Sequence, residues 1–175
     1  MEELFSLVSV VQSRLRDEMT HSGVTFEDAA KPLGYSNKSS IARLLAKDRM
    51  GFEDLLKILV LCKKTDLVVQ KPFTFKIFIK ATSVAQVDAL MEALRHSIFK
   101  EGTTERYRLP DKLTWSDIAG KTGFDSGKSA RKSWFLLQTP LYLVVGVLQL
   151  LYSEAGEHEV TSGNSVLRIS VGKRK

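Results

Sequence analysis

The chain has 175 residues, of which 43% are hydrophobic and 26% charged, with a net charge of +6 and an isoelectric point of about 9.4. These values are typical of one ordinary globular domain or two small ones, and they exclude a disordered chain. The longest apolar stretch, residues 141–152, is too short for a membrane-spanning helix and is interrupted by Gln149. The modest basic excess permits nucleic-acid binding without proving it.

The cysteine and histidine residues and the acidic start of the chain indicate which cellular compartment and which metal cofactors to expect. Cys62 is the only cysteine, so no intrachain disulfide can form, and we expect a reducing cytoplasm. The histidines His21, His96 and His158 show no ligand spacing with Cys62 or with one another, so we expect no metal site. The first residues lack a basic region, which predicts that there is no signal peptide.

The first half predicts four helices followed by a β-hairpin. Gly23 ends the first helix, and Thr25 with Asp28 forms a capping-box-like start to the second. Pro32 lies near the end of that second helix, where it costs a hydrogen bond, and Ser36 is expected to cap the third. The periodicity places helices at residues 4–21, 25–32, 36–47 and 52–63, and strands at residues 67–69 and 73–80.

The second half predicts the same order of elements. A helix over residues 84–99 is followed by a polar loop over residues 101–112 and by the stretch 114–134. Thr139 is expected to cap a strongly apolar helix with Pro140 in its first turn. The chain closes with a hairpin pattern whose turn lies at residues 162–164.

The stretch 114–134 repeats the stretch 25–45 at a constant offset of 89 residues. With the matching order of elements, the repeat indicates an internal duplication, although any capped helix before a glycine turn selects Thr, Asp, Ala and Gly. The equivalent pairs are Thr25 and Thr114, Phe26 and Trp115, Asp28 and Asp117, Ala30 and Ala119, Gly34 and Gly123, Tyr35 and Phe124, Ser40 and Ser129, and Arg43 and Lys132.

The first copy contains the residues that a helix-turn-helix requires. Its first helix needs a small residue where the second crosses it, here Ala30, and Gly34 then allows the turn before Tyr35 enters the core. From about residue 10 to residue 69 the chain resembles the Cro/repressor-like helix-turn-helix family. In that family the buried aliphatic residue of the recognition helix comes one position earlier than Ile41 does here. The longer spacing resembles that of AraC-type regulators, on Gly34, Tyr35, Ser36, Ser39, Ile41 and Arg43.

This resemblance and the repeat together predict the fold class. We expect an α+β fold, mainly α, with tandem helix-turn-helix units that are each followed by a β-hairpin. The predicted domains are residues 1–80 and, as a diverged second copy, residues 81–175.

The predicted DNA-binding residues lie on the outer face of each second helix. Hydroxyl and amide side chains can reach phosphates and base edges, and Lys and Arg suit guanine or phosphate. The alternatives to DNA binding are that these residues form a solvated polar helix face in the first copy and a basic surface turn in the second. Trp134 and Phe135 are expected to anchor the second copy in the core. The candidates are Ser36, Asn37, Lys38, Ser39, Ser40, Arg43 and Lys47, and then Ser126, Lys128, Ser129, Arg131 and Lys132.

The sequence gives little support to a catalytic function. The segment 123–129 resembles a phosphate-binding P-loop, but its two glycines, Gly123 and Gly127, are too close together, and a helical pattern rather than a strand precedes them. No nucleophile–base spacing or paired carboxylates stand out. We therefore expect no catalytic residues and no cofactor.

The sequence thus favours a bacterial, phage or plasmid transcriptional regulator that binds double-stranded DNA at an imperfect inverted or direct repeat. The alternative is a protein-interaction module, such as a phage-encoded inhibitor or an antitoxin, with a protein as its partner. The hairpins can pair within the chain, brace the units, or form a homodimer interface. We favour the homodimer, because Phe73, Phe75 and Phe78 would leave apolar surface on a lone hairpin.

Overall fold

The computed structural model of the chain describes residues 1–98, 113–136, 138–153 and 155–172. The predicted helix end at Phe99 and the predicted loop over residues 101–112 lie outside these ranges. The elements are α1 (Glu2–Ser22), α2 (Phe26–Ala30), α3 (Lys38–Leu44), α4 (Phe52–Leu61), β1 (Asp66–Val69), β2 (Phe75–Lys80), α5 (Val84–Ser97), α6 (Trp115–Thr122), α7 (Gly127–Phe135), α8 (Leu141–Leu151), β3 (Gly156–Ser162) and β4 (Ser165–Val171).

The α+β class is as predicted, and so is the order of the elements in the described ranges: four helices and two strands, followed by four helices and two strands. Local sequence explains most of the boundaries. Gly23 closes α1 in the left-handed conformation, with φ at +69°. Thr25 and Asp28 form a reciprocal capping box at the start of α2. Thr114 repeats this arrangement at the start of α6.

Two predicted helix caps were wrong by one residue. Asn37, not Ser36, caps α3, because its Oδ1 accepts the backbone N–H of Ser40 at 3.2 Å. Pro140, not Thr139, is the N-cap residue of α8. The Thr139 hydroxyl is buried and lies close to the carbonyls of Trp134 and Leu136, so it closes the preceding turn instead.

The four strands form one antiparallel sheet in the order β1-β2-β4-β3. The two hairpins pair with each other through β2 and β4, which is one of the arrangements that the sequence left open. Phe73 and Phe75 are buried inside the molecule, and Phe78 is half-buried beneath the Arg168 guanidinium, 4.6 Å from its ring centroid. Most of the apolar surface that favoured a dimer is covered within one chain.

Buried side chains from both halves belong to one hydrophobic core. α1 packs against α8 as well as α4, whereas α5 packs against α4 and against β3 and β4. The boundary predicted between residues 80 and 81 falls in the short link between β2 and α5, and the core continues across it. Each half consequently supplies part of the other's apolar packing.

A second contact joins the halves at the start of α4 and α8. Gly51 and Pro140 form an isolated antiparallel bridge. The N–H of Phe52 donates to the Thr139 carbonyl at 2.8 Å, and the N–H of Leu141 donates to the Met50 carbonyl at 2.8 Å. These bonds are reciprocal, because Thr139 and Leu141 follow Met50 and Phe52 by the same 89 residues.

Backbone conformations also correspond between the halves. Gly34 and Gly123, 89 residues apart, have positive φ values of +85° and +82°. Lys63 and Ser153, 90 residues apart, are the non-glycine residues with positive φ in the described ranges, with φ at +56° and +51°. The offset grows from 89 to 90 because α8 has 11 residues and α4 has 10.

Gly146 in α8 and Gly120 in α6 should respond oppositely to alanine. A Cβ on Gly146 would lie 2.5 Å from the Cγ2 atom of buried Thr122, so Gly146→Ala should lower the free energy of unfolding by about 1–3 kcal/mol. A Cβ on Gly120 would meet nothing within 4 Å, so Gly120→Ala should stabilise the protein by roughly 0.5–1 kcal/mol. Urea denaturation of both variants measures the difference, and equal effects would contradict the close α6–α8 packing.

Candidate nucleic-acid interface

α2 and α3 form a compact helix pair around a glycine turn. Ala30 is buried where α2 packs on α3, and the N–H of Tyr35 returns to the Ala30 carbonyl at 2.8 Å. Gly34 takes the left-handed conformation that the turn requires, which an L side chain rarely adopts. Ile41, Leu44 and Leu45 all face the core, as predicted for Ile41 and its neighbours. The opposite face of α3 is left to solvent.

α6 and α7 repeat this geometry. Ala119 is buried, Gly123 has positive φ, and the N–H of Phe124 donates to the Ala119 carbonyl at 3.1 Å. Ala130 occupies the position of Ile41 and is fully buried, although it is much smaller. Trp134 is buried, as predicted, and its ring centroid lies 6.4 Å from that of Trp115. Large aromatic rings thus accompany the small residue in the core of this copy.

The predicted DNA-binding residues are exposed, except for half-buried Ser40. They form two groups, on α3 with its flanks and on α7 with its N-cap, and each group lies on its own helix pair. Asn37 and Ser126 have a structural task, because each accepts a backbone N–H as the N-cap. The groups are Ser36, Asn37, Lys38, Ser39, Ser40, Arg43 and Lys47, and Ser126, Lys128, Ser129, Arg131 and Lys132.

The C-terminal end of α3 is held by side chains of α1. Helix-end carbonyls lack intrahelical partners and need donors from elsewhere. Gln12 is buried, and its amide donates to the carbonyls of Leu44 and Lys47 at 3.1 and 2.7 Å. The Arg16 guanidinium donates to the carbonyl of Leu45. α1 therefore fixes the orientation of α3.

α5 holds the end of α7 in a similar way. Arg95 is buried, and its guanidinium donates to the Leu136 carbonyl at 2.8 Å and to the Thr139 hydroxyl at 3.3 Å. The indole N–H of Trp134 donates back to the Arg95 carbonyl at 3.1 Å. The exposed faces of α3 and α7 therefore belong to helices whose C-terminal ends are hydrogen-bonded to the first helix of the same half, α1 or α5.

A cleft of about 370 Å³ lies beside α3 and contains residues that the sequence did not single out. Ser40, Arg43 and Lys47 line it, together with Arg49 from the link to α4 and Gln138 from the second half. Arg49 also reaches across to the second half, where its guanidinium lies 6.0 Å from the ring centroid of Phe124. Arg49 and Gln138 occupy equivalent positions at the 89-residue offset, so the internal repeat could have indicated that both residues belong to the site.

The floor of this cleft contains a buried carboxyl group. The Tyr35 hydroxyl donates to Oδ2 of Asp54 at 3.1 Å. Burial raises the pKa of Asp54 to about 6, although the Tyr35 hydrogen bond and the charge of Lys57 act in the opposite direction. Burial, followed by the nearby Asp54 charge, raises the pKa of Tyr35 to about 12. Near neutral pH an anionic Asp54 therefore offsets part of the positive charge of Arg43, Lys47 and Arg49.

Ser97, His158 and Tyr152 form a hydrogen-bonded chain elsewhere in the molecule. His158 Nε2 lies 2.6 Å from Ser97 Oγ, and His158 Nδ1 lies 2.6 Å from the Tyr152 hydroxyl. Ser97 Oγ donates to the Leu94 carbonyl at 2.7 Å, so Nε2 donates to Ser97 and Nδ1 accepts from Tyr152. A general base would instead accept the serine proton. The hydrogen bonds among these three side chains connect α5 and β3 with the end of α8.

Within the described ranges, no group of three or more His, Cys, Asp or Glu side chains is placed to hold a metal ion. Each helix within the same ranges is too short or too polar to cross a lipid bilayer. Comparisons with known protein families, with curated proteins and with solved structures find no match to this chain.

Proposed function

We propose that the chain is a sequence-specific, double-stranded-DNA-binding regulator of transcription, of bacterial, phage or plasmid type. The observation that carries this proposal is the repeated helix–glycine–helix geometry of α2–α3 and α6–α7. In both pairs the second helix begins at a side-chain cap and leaves hydroxyl and basic groups exposed. A helix presented in this way can enter the major groove of DNA. Residues 1–80 and 81–175 would each supply one helix-turn-helix unit.

The two units would contribute differently. α7 carries Lys128, Arg131 and Lys132, and no acidic residue occurs between Ser126 and Glu154, which suits phosphate contacts. α3 carries Lys38, Ser39 and Arg43, a mixed set that suits base edges as well as phosphates. Neither Lys128 nor Lys132 forms a salt bridge within the described part of the chain, so both are available to an anionic partner.

Fluorescence anisotropy with a random-sequence duplex tests DNA binding directly. We expect the affinity to fall steeply with salt, because neutralising phosphates releases counterions. In Lys128→Glu/Lys132→Glu, affinity at low salt should fall about tenfold or more, and the slope of log K against log salt should decrease by about two.

The matched control is Lys76→Glu/Lys80→Glu on the exposed face of β2. Both double variants lower the net charge from +6 to +2, so they separate a localised contact from a general charge effect. The control should lose less than about threefold, since Lys76 and Lys80 lie on the sheet rather than on α7. Equal losses would contradict the assignment to α7. An absence of binding at low salt would overturn the proposal and favour the protein-interaction module.

A further inference from the structure

Within the described ranges, β-type backbone pairing joins the two halves at two places, and at both places equivalent segments run in opposite chain directions. One is the bridge between Gly51 and Pro140, with its reciprocal hydrogen bonds. The other is the antiparallel pairing of β2 with β4, in which Phe78 lies opposite Arg168. Phe78 and Arg168 are 90 residues apart, the same offset that relates the positive-φ residues at the ends of α4 and α8.

Such pairing indicates a two-fold rotation between the halves. When a two-fold axis relates two halves, a contact from residue i of the first half to the counterpart of residue j in the second is matched by a contact from the counterpart of i to j. Equivalent strands that pair across such an axis run antiparallel. The bonds from Phe52 to Thr139 and from Leu141 to Met50 have this form. A translation along the chain would instead pair equivalent strands in parallel. The exchange of α1 onto α8 and α5 onto α4 follows the same rotation.

The orientation of the halves determines the orientation of the DNA that they can read together. Two reading helices related by a two-fold axis face the two strands of a duplex in the same way, so their half-sites are inverted relative to each other. Two reading helices related by translation would require a direct repeat.

The residues presented by the two halves are not the same. At the 89-residue offset, Ser39 corresponds to Lys128 and Ala42 to Arg131, while Lys38 corresponds to Gly127. Only the position shared by Arg43 and Lys132 keeps a basic residue of similar length. Base-edge and phosphate contacts must therefore differ between the two arms of a bound site.

Resting on the proposed function, we propose that one chain binds one duplex site composed of two unlike half-sites in inverted orientation. α3 reads one arm and α7 reads the other. The second half of the chain takes the place that a second subunit would occupy on a palindromic site, so a perfect palindrome is not the preferred ligand.

Selection of bound duplexes from a random pool by the intact chain, followed by sequencing, tests this proposal. The expected motif has two different arms in opposite orientation. Native mass spectrometry of the chain with the selected duplex should show one chain per duplex. Arg43→Ala should relax base preference in one arm only, whereas Lys132→Ala should leave the preference of that arm unchanged, each costing about tenfold in affinity for the selected site. Both side chains are exposed, so neither change should disturb folding.

The outcomes separate this inference from the proposed function. A direct repeat, a single arm, or a palindrome occupied by two chains would overturn the two-fold arrangement while leaving DNA binding intact. Loss of preference in the same arm for both variants would do the same. If the selection enriches no sequence and the salt series shows no binding, the proposed function itself fails.

Discussion

Trp134→Ala should lower the free energy of unfolding by about 3–5 kcal/mol, the largest loss that we expect from a single substitution. Trp134 is only 1% exposed, and its indole N–H donates to the carbonyl of Arg95. Removing the ring leaves a cavity beside Trp115 and deprives a buried carbonyl of its donor. Guanidinium denaturation followed by circular dichroism measures the change.

Leu136→Ala is the matched control, two residues further along. Leu136 is 52% exposed, so its truncation should change stability by less than about 0.5 kcal/mol. Its backbone carbonyl, which accepts from Arg95, remains in place. If Trp134→Ala were as mild as this control, the indole would not be the anchor that holds α7 in the core.

Asp54→Asn should stabilise the protein at neutral pH by on the order of 2–3 kcal/mol, the second-largest effect. Burial holds the folded-state pKa of Asp54 near 6, above its ordinary value of 3.8. Between these values the folded state binds more protons than the unfolded state, so this group's stabilising contribution is present below about pH 4 and lost as pH rises to about 6. Asparagine does not titrate and can still accept the Tyr35 hydroxyl.

The measurement is the difference in unfolding free energy between Asp54→Asn and the unmodified chain across pH. We expect a difference near zero at about pH 4 that grows to its full size by about pH 7. Asp48→Asn, at an exposed carboxyl group close in sequence, should change stability by less than about 0.5 kcal/mol. A flat difference for Asp54→Asn would show that its carboxyl group is better solvated than the structure indicates.

Features that depend on neighbours in sequence were largely predictable. The capping boxes at Thr25 and Thr114 and the glycine turns at Gly34 and Gly123 all involve residues within one helical turn, so the pattern contains the necessary information. The cap of α3 was missed by one residue because Ser36 and Asn37 are both good N-caps. Which of them serves is decided by where the backbone becomes helical.

Features that depend on distant parts of the chain were not predictable in the same way. Alternation identified the strands, but an exposed strand edge has no signal for whether its partner comes from the same chain or from another. The cleft beside α3 was missed because its lining residues Arg49 and Gln138 come from different halves of the chain, which are joined nearby by the Gly51–Pro140 bridge. The burial of Gln12 and Arg95 could likewise not be predicted from the sequence, since each is a polar residue on an otherwise apolar helix face.

The pairing of β2 with β4 also affects how the protein responds to dilution. When two subunits associate through a sheet edge, mass action dissociates them as their concentration falls. Here both edges belong to one chain, so their effective concentration is set by the chain that connects them and does not change with protein abundance. On the proposed function, site occupancy should follow protein concentration hyperbolically, without the steeper dependence of a regulator that must first dimerise.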